Sequence, residues 1–467
     1  MRPDELRALL PMKKSFDLLE KAIVIGQRQC TMYFVDGFVK DDLLQRIMQF
    51  WYSIKKEQMD RLQSLEQFGD QFMPYVEYTV ETDPQKAVDS LLAGPALMLI
   101  EGLEGCIVLD TRTYPARGVD EPEKDKVLRG SRDGFTETVV FNTALIRRRI
   151  RDPKLVFEIF SVGAQSKTDV VVGYIGGKAD EKLLQSLRER LQQLDVKNEI
   201  INQQNLVELL LPRPSLNPFP KVRNSERPDV TAANLVEGRV VLLVDNCPTS
   251  IILPTRLVDF TQEADDFYFP PLVGWYMKMI RISTAFVTML ITPVWMLALH
   301  YPDKIPSLFS FLKVENTSAL PIVLQLILIE FAIDGLRLAS INTPSVLSSS
   351  FSIVGGLILG DFAVQSGVAI PQTIFYMSFV AIATFSQPSI ELGYSIKFCR
   401  MGLLVLTWAF GIWGFGAGLV LIFIMAAVNS TITRDRYLSP ICPFKPRGFI
   451  DLFKRRFARN SQHPHHS

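Results

Sequence analysis

The sequence predicts an α/β fold made of two subdomains, followed by a polytopic α-helical membrane domain. Residues 1–250 carry 34 Lys and Arg and 37 Asp and Glu, whereas residues 251–467 carry 16 and 12. In the second part, several uncharged runs are long enough to cross a bilayer. In the first part, β-branched segments alternate with amphipathic ones, which is typical of sheets covered by helices.

The first subdomain is predicted over residues 21–130, after a polar lead (residues 1–20) that is either helical or disordered. Apolar residues recur at helical spacing over residues 22–70, which predicts paired helices. Residues 97–110 contain two apolar segments around a glycine and predict a β-hairpin. The Pro-, Gly- and charge-rich residues 112–134 predict a long connection at the subdomain boundary.

The second subdomain and the membrane junction are predicted over residues 131–275, as an α/β or α+β module. The pattern predicts strands at 155–162, 169–175, 239–244 and 251–253, and an amphipathic helix at 180–194. The first residues of the chain lack the apolar core of a signal peptide, so we expect both subdomains in the cytoplasm.

Two segments of this module attract a functional interpretation. The basic residues 147–151 are either a solvated helix face paired with nearby acids, which is favoured, or a site for anions or lipid headgroups. The glycine-rich residues 172–178 lack the spacing of a phosphate-binding loop, so they predict a strand end and a tight turn.

The membrane domain is predicted over residues 276–433, before a basic cytoplasmic tail at 434–467. Its predicted spans are approximately 282–300, 318–336, 346–368, 370–387 and 401–428. The positive-inside rule assigns Arg281, Arg337, Lys397, Arg400 and the tail to the cytoplasmic side.

The last apolar run, residues 401–428, leaves two alternatives open. A straight helix of this length would be about 42 Å long, which exceeds a bilayer core of about 30 Å. One crossing would also place the basic tail outside, in conflict with the charge rule. We therefore favour two half-helices that fold back at the glycines of this run over a single tilted helix.

Three acidic residues lie within or near the predicted spans: Glu330, Asp334 and Asp361. Ionisable groups are costly inside a bilayer and usually face protein or water. We expect these residues to belong to an ion or proton pathway. The alternative is a position at a helix end, where the cost is small, and it is favoured for Asp334.

The third predicted span is unusually rich in small and hydroxylated residues. Such residues line either a wet pore or a close helix contact, and a Gly-x-x-x-Gly pair favours the contact. The pore-lining candidates are Ser348, Ser352, Val354, Gly355, Gly356 and Leu359.

Composition excludes several classes of function. The chain has five Cys without a CxxC pair and four His, three of them in the last five residues. We therefore expect no metal site, no cofactor and no enzyme activity, because no nucleophile–base set emerges. The net charge of +1 gives no case for nucleic-acid binding.

Several motifs together resemble one known family. They are the Asn-Pro-Phe-Pro segment 217–220, the Glu-Arg-Pro-Asp segment 226–229, LVEGRV at 235–240, EFAIDGLRLASI at 330–341 and SIVG at 352–355. Over residues 94–440, the chain resembles the GerA-type A subunits of spore germinant receptors. Ser225, which precedes the Glu-Arg-Pro-Asp segment, stands where a Thr is expected from this family.

The resemblance implies a multi-pass protein of the bacterial spore inner membrane with a cytoplasmic N-terminal region. It also implies a homo-oligomeric, pentameric channel that releases monovalent cations and acts with other germination membrane proteins. An ion-coupled secondary transporter and a membrane scaffold for germinant receptors remain alternatives. We expect a junction that couples the subdomains to the membrane domain, formed by Asn217, Pro218, Pro220, Glu226, Arg227, Pro228 and Asp229.

Overall fold

The structure is a computed structural model, in which the chain forms two compact units. It describes residues 1–73, 77–112, 130–194, 201–211, 217–263, 268–314, 320–342, 363–429, 431–432, 437–439 and 442. Unit 1 comprises residues 1–214, 222–255 and 431–435, and unit 2 comprises residues 215–221, 256–430 and 436–467. The chain therefore passes between the units several times.

The first half of unit 1 is a sheet with helices around it. Its strands are β1 (Leu18–Ile25), β2 (Arg28–Val35), β3 (Tyr78–Glu81), β4 (Ala96–Ile100) and β5 (Cys106–Leu109). Its helices are α1 (Pro3–Leu9), α2 (Asp41–Tyr52), α3 (Lys56–Asp60), α4 (Leu65–Phe72) and α5 (Pro84–Leu92). The strand order is β1-β2-β4-β5-β3, and the described pairings are antiparallel.

The second half of unit 1 is built in the same way. Its strands are β6 (Leu155–Val162), β7 (Thr168–Ile175), β8 (Arg223–Ser225), β9 (Val240–Val244) and β10 (Ser250–Leu253). Its helices are α6 (Val139–Arg149), α7 (Glu181–Gln193), α8 (Gln203–Leu210) and α9 (Pro228–Val236). The order β6-β7-β9-β10-β8 is again antiparallel in the described pairings.

The two halves repeat one topology with the same register. Helix α5 begins at Pro84 and α9 at Pro228, 144 residues later, and both helices have nine residues. With the same offset, Leu97 pairs with Val108 in the first sheet as Val241 pairs with Ile252 in the second. Unit 1 is therefore an internal structural duplication.

The antiparallel sheets correct the α/β prediction, because α/β folds require parallel strands joined by helical crossovers. A second correction concerns residues 22–35, where the expected helix is the β1–β2 hairpin. Gly26 and Gln27 both have positive φ angles (52° and 68°), as a two-residue hairpin turn requires. The lead is also ordered, because Leu6 of α1 is fully buried in the first core.

The predicted hairpin of residues 97–110, the strands at 155–162, 169–175, 239–244 and 251–253, and the amphipathic helix at 180–194 are confirmed. The strand end and tight turn predicted at residues 172–178 are also present, at the end of β7. The favoured solvated face at residues 147–151 is wrong for Arg147, which is fully buried and ion-paired with Asp17.

Unit 2 is helical in its described part. Its helices are α10 (Pro271–His300), α11 (Ile322–Asn342), α12 (Pro371–Phe385) and α13 (Ile390–Val428). Among the described residues, α10 and α13 are long and apolar enough to cross a membrane. Helix α13 begins before the predicted start at residue 401, so Lys397 and Arg400 lie inside the helix rather than ahead of it.

Helix α13 folds back on itself at Gly411, whose φ of 56° and ψ of −132° interrupt the helical backbone. A Cβ atom on Gly418 would lie 2.5 Å from Cδ1 of Leu403, whereas 15 residues of straight helix would separate the two by about 22 Å. α13 is therefore a helical hairpin with its turn at Gly411. This is the geometry of the fold-back alternative, and its position in a membrane stays a prediction.

Candidate functional site

Charged residues of α11 and α13 face each other within unit 2. Glu330 and Asp334 are four residues apart on α11, and Lys397 and Arg400 are three apart on α13, so each pair lies on one helix face. The two helices run antiparallel here, because Glu330 meets Arg400 and Asp334 meets Lys397. Opposite charges are thus matched along both helices.

The centre of this charged cluster is buried. Nη2 of Arg400 lies 2.5 Å from Oε2 of Glu330, and Nζ of Lys397 lies 3.5 Å from Oε1 of the same carboxylate. Lys397 also donates a hydrogen bond to Asp334. Glu330 is 7% exposed and Arg400 2%. Charges that are removed from water in this way are stable only when they are paired, so the cluster fastens α11 to α13.

Arg337 extends the cluster by one helical turn. Its guanidinium carbon lies 5.3 Å from the ring centre of Tyr394 and 5.6 Å from that of Phe385, which are cation–π distances. Within the described residues Arg337 forms no ion pair. A small, partly open cleft lies beside it, and its lining also includes Asp334 and Lys397.

The cluster is spread along the length of the first half of α13. The turn at Gly411 lies beside Tyr301, because a Cβ atom on Gly411 would be 3.1 Å from the Tyr301 hydroxyl oxygen. Counted from this turn at 1.5 Å per residue, Arg400 is about 16 Å away and Tyr394 about 25 Å. The buried pair is therefore about midway along a bilayer-sized helix, and Arg337 is near its far end.

Helix α12 packs beside α11 in the same direction. Oε1 of Gln325, near the start of α11, accepts hydrogen bonds from the amide of Ile370 and the hydroxyl of Thr373, both at 3.0 Å. Near the end of α11, Arg337 stacks on Phe385, the last residue of α12. The chain therefore leaves α11 at one end of this helix pair and enters α12 at the other.

The Asn-Pro-Phe-Pro segment of residues 217–220 belongs to unit 2 and holds the open end of the α13 hairpin. The side-chain amide of Asn217 donates a hydrogen bond of 2.6 Å to the carbonyl of Met425, in the second half of the hairpin. In the first half, the hydroxyl of Ser395 donates to the carbonyl of Pro218. Phe219 packs against residues of both halves.

The Glu-Arg-Pro-Asp segment of residues 226–229 lies in unit 1. Arg227 is 1% exposed and donates to both carboxylate oxygens of Asp229, at 3.1 and 2.7 Å, and to the carbonyl of Ser131 at 2.8 Å. Pro228 starts α9, and the carbonyl of Glu226 accepts the amide of Phe135. The segments predicted to form one junction, including Pro220 in the first, are thus divided between the two units.

The structure brings Glu330 and Asp334 together. The six pore-lining candidates Ser348, Ser352, Val354, Gly355, Gly356 and Leu359, as well as Asp361, lie outside the described residues. Sequence reasoning missed Lys397, Arg400 and Tyr394 as members of the cluster. The available signal was the complementary spacing of two acids on one apolar helix and two bases on another.

In the described part of the chain, no group of three or more His, Cys, Asp or Glu is placed to hold a metal ion. The charged side chains of the cluster are engaged with one another or with aromatic rings. Their arrangement suits helix association and the binding of a charged group in the adjoining cleft.

Comparisons with known proteins agree on one family. The model of the family described as Bacillus/Clostridium GerA spore germination protein matches residues 6–465. Stage V sporulation protein AF of Bacillus subtilis (strain 168) is 33% identical over 445 residues, which cover 95% of this chain and 90% of that protein. Spore germination protein KA of the same organism is 28% identical, and the match covers 94% of this chain and 81% of that protein.

A solved structure is also similar. The N-terminal domain of the A subunit of the Bacillus megaterium spore germinant receptor GerK3 matches with 25% identity and a TM-score of 0.39, over 53% of this chain and 90% of that chain. The resemblance inferred from the motifs, to the GerA-type family and within it to stage V sporulation protein AF, is confirmed by the family model and the first relative.

Proposed function

This chain belongs to the GerA family of spore germination proteins, and from that premise we propose that it is a subunit of a homo-oligomeric, pentameric ion channel. The channel resides in the bacterial spore inner membrane and releases monovalent cations during germination, with other germination membrane proteins as partners. The relatives named above are spore germination or sporulation proteins, and α10 and α13 have the length and composition of membrane helices.

The observation that carries this proposal is the buried charged cluster. A carboxylate and a guanidinium lie 2.5 Å apart between largely apolar helices. Such a buried pair is typical of a functional membrane domain rather than of a helix that only anchors a protein in the membrane. Because Glu330 and Asp334 are neutralised by Lys397 and Arg400, they act as a clamp between α11 and α13. The ion path is assigned to the segment between α11 and α12.

The proposed pore surface consists of the small and apolar side chains of that segment, namely Ser348, Ser352, Val354, Gly355, Gly356 and Leu359. Two features support this assignment. The segment is uncharged from residue 338 to 360, and it connects opposite ends of the α11–α12 pair.

Cation efflux from vesicles tests the channel directly. The full-length protein is reconstituted into potassium-loaded vesicles, and potassium release is compared between the wild type, Gly356→Leu and the control Gly416→Leu in the apolar α13. We expect Gly356→Leu alone to change the release, and native mass spectrometry to give a pentamer. Unaltered release from an assembled Gly356→Leu protein would refute the pore assignment, and a monomer would refute the channel.

We further propose that residues 217–220 and 226–229 couple unit 1 to the helices of unit 2. The chain crosses from one unit to the other on both sides of the first segment, so a movement in unit 1 is transmitted through Asn217, Pro218 and Pro220. Asp229→Ala removes the carboxylate that Arg227 binds and is expected to impair cation release. Normal release at a normal protein level would refute this coupling.

An ion-coupled carrier is the second candidate, and the buried pair of Glu330 and Arg400 favours it, since ionisable residues inside a membrane domain mark ion pathways and proton relays. The vesicle assay separates the two functions. A carrier saturates with the ion and shows counterflow, whereas a channel passes ions down their gradient without either property.

A further inference from the structure

The charged cluster carries more positive than negative charge. Its two carboxylates, Glu330 and Asp334, are engaged by Lys397 and Arg400. Arg337 is the third cation and has no carboxylate partner among the described residues. A surplus positive charge on the wall of a cleft, next to apolar helices, favours a bound anion.

The guanidinium of Arg337 is held in place for such a ligand. The rings of Tyr394 and Phe385 contact it at 5.3 and 5.6 Å, so its orientation is fixed before a ligand binds. A guanidinium offers several donors in one plane, and this geometry fits the oxygens of a phosphate group. Lys397 also lines the cleft, and its Nζ lies 5.7 Å from the Tyr394 ring centre.

The position of the cleft favours a lipid over a free anion. Tyr394 is about 25 Å along the helix from the turn at Gly411, close to the thickness of a bilayer core, so Arg337 reaches the depth of the headgroups. Apolar side chains next to the cleft face outward, since Leu338 is 60% exposed and Phe385 61%. An acyl chain can lie against them while the phosphate meets Arg337.

We propose that Arg337, together with Lys397 and Tyr394, binds the headgroup phosphate of an anionic phospholipid in this cleft. The inference rests on the membrane-embedded part of the proposed function. A zwitterionic headgroup fits less well because its own cation would meet the surplus positive charge of Arg337.

Native mass spectrometry of the full-length protein, released from nanodiscs, tests the site. The nanodiscs contain phosphatidylglycerol, phosphatidylcholine, or phosphatidylcholine with inorganic phosphate in the buffer. We expect the wild type to retain phosphatidylglycerol, and Arg337→Gln to retain it about tenfold less. The matched control is Lys304→Gln, since Lys304 also stacks on a tyrosine, Tyr301, at 5.2 Å, but lies at the other end of the helices.

Arg337→Lys keeps the charge without the planar donors, and it is expected to retain an intermediate amount of phosphatidylglycerol. Equal retention by the wild type and Arg337→Gln would overturn the proposal. Equal retention of phosphatidylcholine by the wild type would overturn it without any variant. So would inorganic phosphate that stays bound to the wild type in the phosphatidylcholine nanodiscs but not to Arg337→Gln, because the site would then take a free anion.

Alkaline extraction of vesicles that carry the same full-length protein distinguishes this proposal from its premise. A chain that is extracted from vesicles at high pH is not embedded, and the membrane function then fails together with the site. A chain that stays embedded but does not retain phosphatidylglycerol refutes the lipid site alone.

Discussion

Arg147 and Asp17 form an ion pair of 2.8 Å, in which both side chains are buried, although the residues lie 130 positions apart. The pair joins α6 of the second half of unit 1 to the segment that precedes β1 of the first half. Ser15 strengthens the connection, because its hydroxyl donates to Asp17 and accepts the amide of Phe157 at 2.9 Å. The two sheets of unit 1 are therefore linked by a hydrogen-bonded charge pair.

Replacing Asp17 by Asn should destabilise unit 1 strongly, because Arg147 would keep its charge in a buried place without a counter-charge. The expected loss is about 3–5 kcal/mol of unfolding free energy. This loss is measured by urea unfolding of the full chain, with proteolytic cleavage within unit 1 as the readout. Asp4→Asn is the control: Asp4 is exposed and pairs with the partly exposed Arg7, so little change is expected. Equal stability of both variants would contradict the prediction.

The location of Arg147 illustrates what local sequence reasoning can predict in this chain. The hairpin around Gly102 and Gly105 was predictable, since glycines between apolar segments specify a turn within a few residues. The burial of Arg147 was not, because its partner is distant in sequence and a run of arginines is usually solvated. The internal duplication is equally non-local: six of 32 residues are identical between 78–109 and 222–253.

The pair of Glu330 and Arg400 should show strong energetic coupling. Glu330→Gln leaves Arg400 buried beside an uncharged amide, and Arg400→Met leaves Glu330 with Lys397 alone, so each variant should lose about 3–5 kcal/mol. The double variant should lose less than the sum of the two. Thermal unfolding in detergent measures all four proteins, with Lys313→Gln as an exposed-charge control. Additive losses would show that the two side chains do not interact.

Two glycines of α13 should respond oppositely to alanine. Gly411 has a positive φ, and an added Cβ atom would lie 3.1 Å from the Tyr301 hydroxyl oxygen, so Gly411→Ala should cost about 1–3 kcal/mol. Gly416 has no atom within 4 Å of an added Cβ, and Gly416→Ala should stabilise the helix by up to about 1 kcal/mol. The unfolding temperatures of both variants check this. A Gly411→Ala protein as stable as the wild type would contradict the fold-back.

The candidate site was also predictable only in part, because its charged residues, like Arg147 and Asp17, are distant in sequence and meet only through tertiary packing. Glu330 and Asp334 stand out because charges are rare in an apolar run. Lys397 and Arg400 are equally visible, but the positive-inside rule assigns such residues to a cytoplasmic flank. Only the antiparallel packing of α11 and α13, a tertiary property, turns the two pairs of charges into one cluster.

The stability of unit 1 should depend on Glu158 at acidic pH. Burial raises the pKa of this carboxyl, but the hydrogen bonds from Arg188 and Tyr174, at 2.8 and 2.6 Å, outweigh it and leave the pKa below its ordinary value of 4.5. Stabilisation by Glu158 is therefore complete above pH 4.5 and is lost as the pH falls through the lower folded-state pKa.

Glu158→Gln should accordingly be less stable than the wild type at neutral pH, and this difference should shrink as the solution is acidified below pH 4.5. Urea unfolding across this range measures the difference. Glu189→Gln is the control, because Glu189 is exposed and accepts a hydrogen bond from Gln185 rather than from a cation. A difference that stays constant with pH would contradict the assignment to the Glu158 carboxylate.

Asn217→Ala should loosen the open end of the α13 hairpin. The substitution removes the 2.6 Å hydrogen bond to the Met425 carbonyl and the acceptor of the Phe219 amide at 3.1 Å. We expect faster amide hydrogen exchange in the last turns of α13 and, through the proposed coupling, slower cation release. Asn202→Ala is the matched control: Asn202 caps α8 in unit 1 and accepts the Asn205 amide at 2.8 Å. It should cost about 1 kcal/mol there without changing exchange in α13. Unchanged exchange of α13 in Asn217→Ala would show that residues 217–220 do not hold the hairpin.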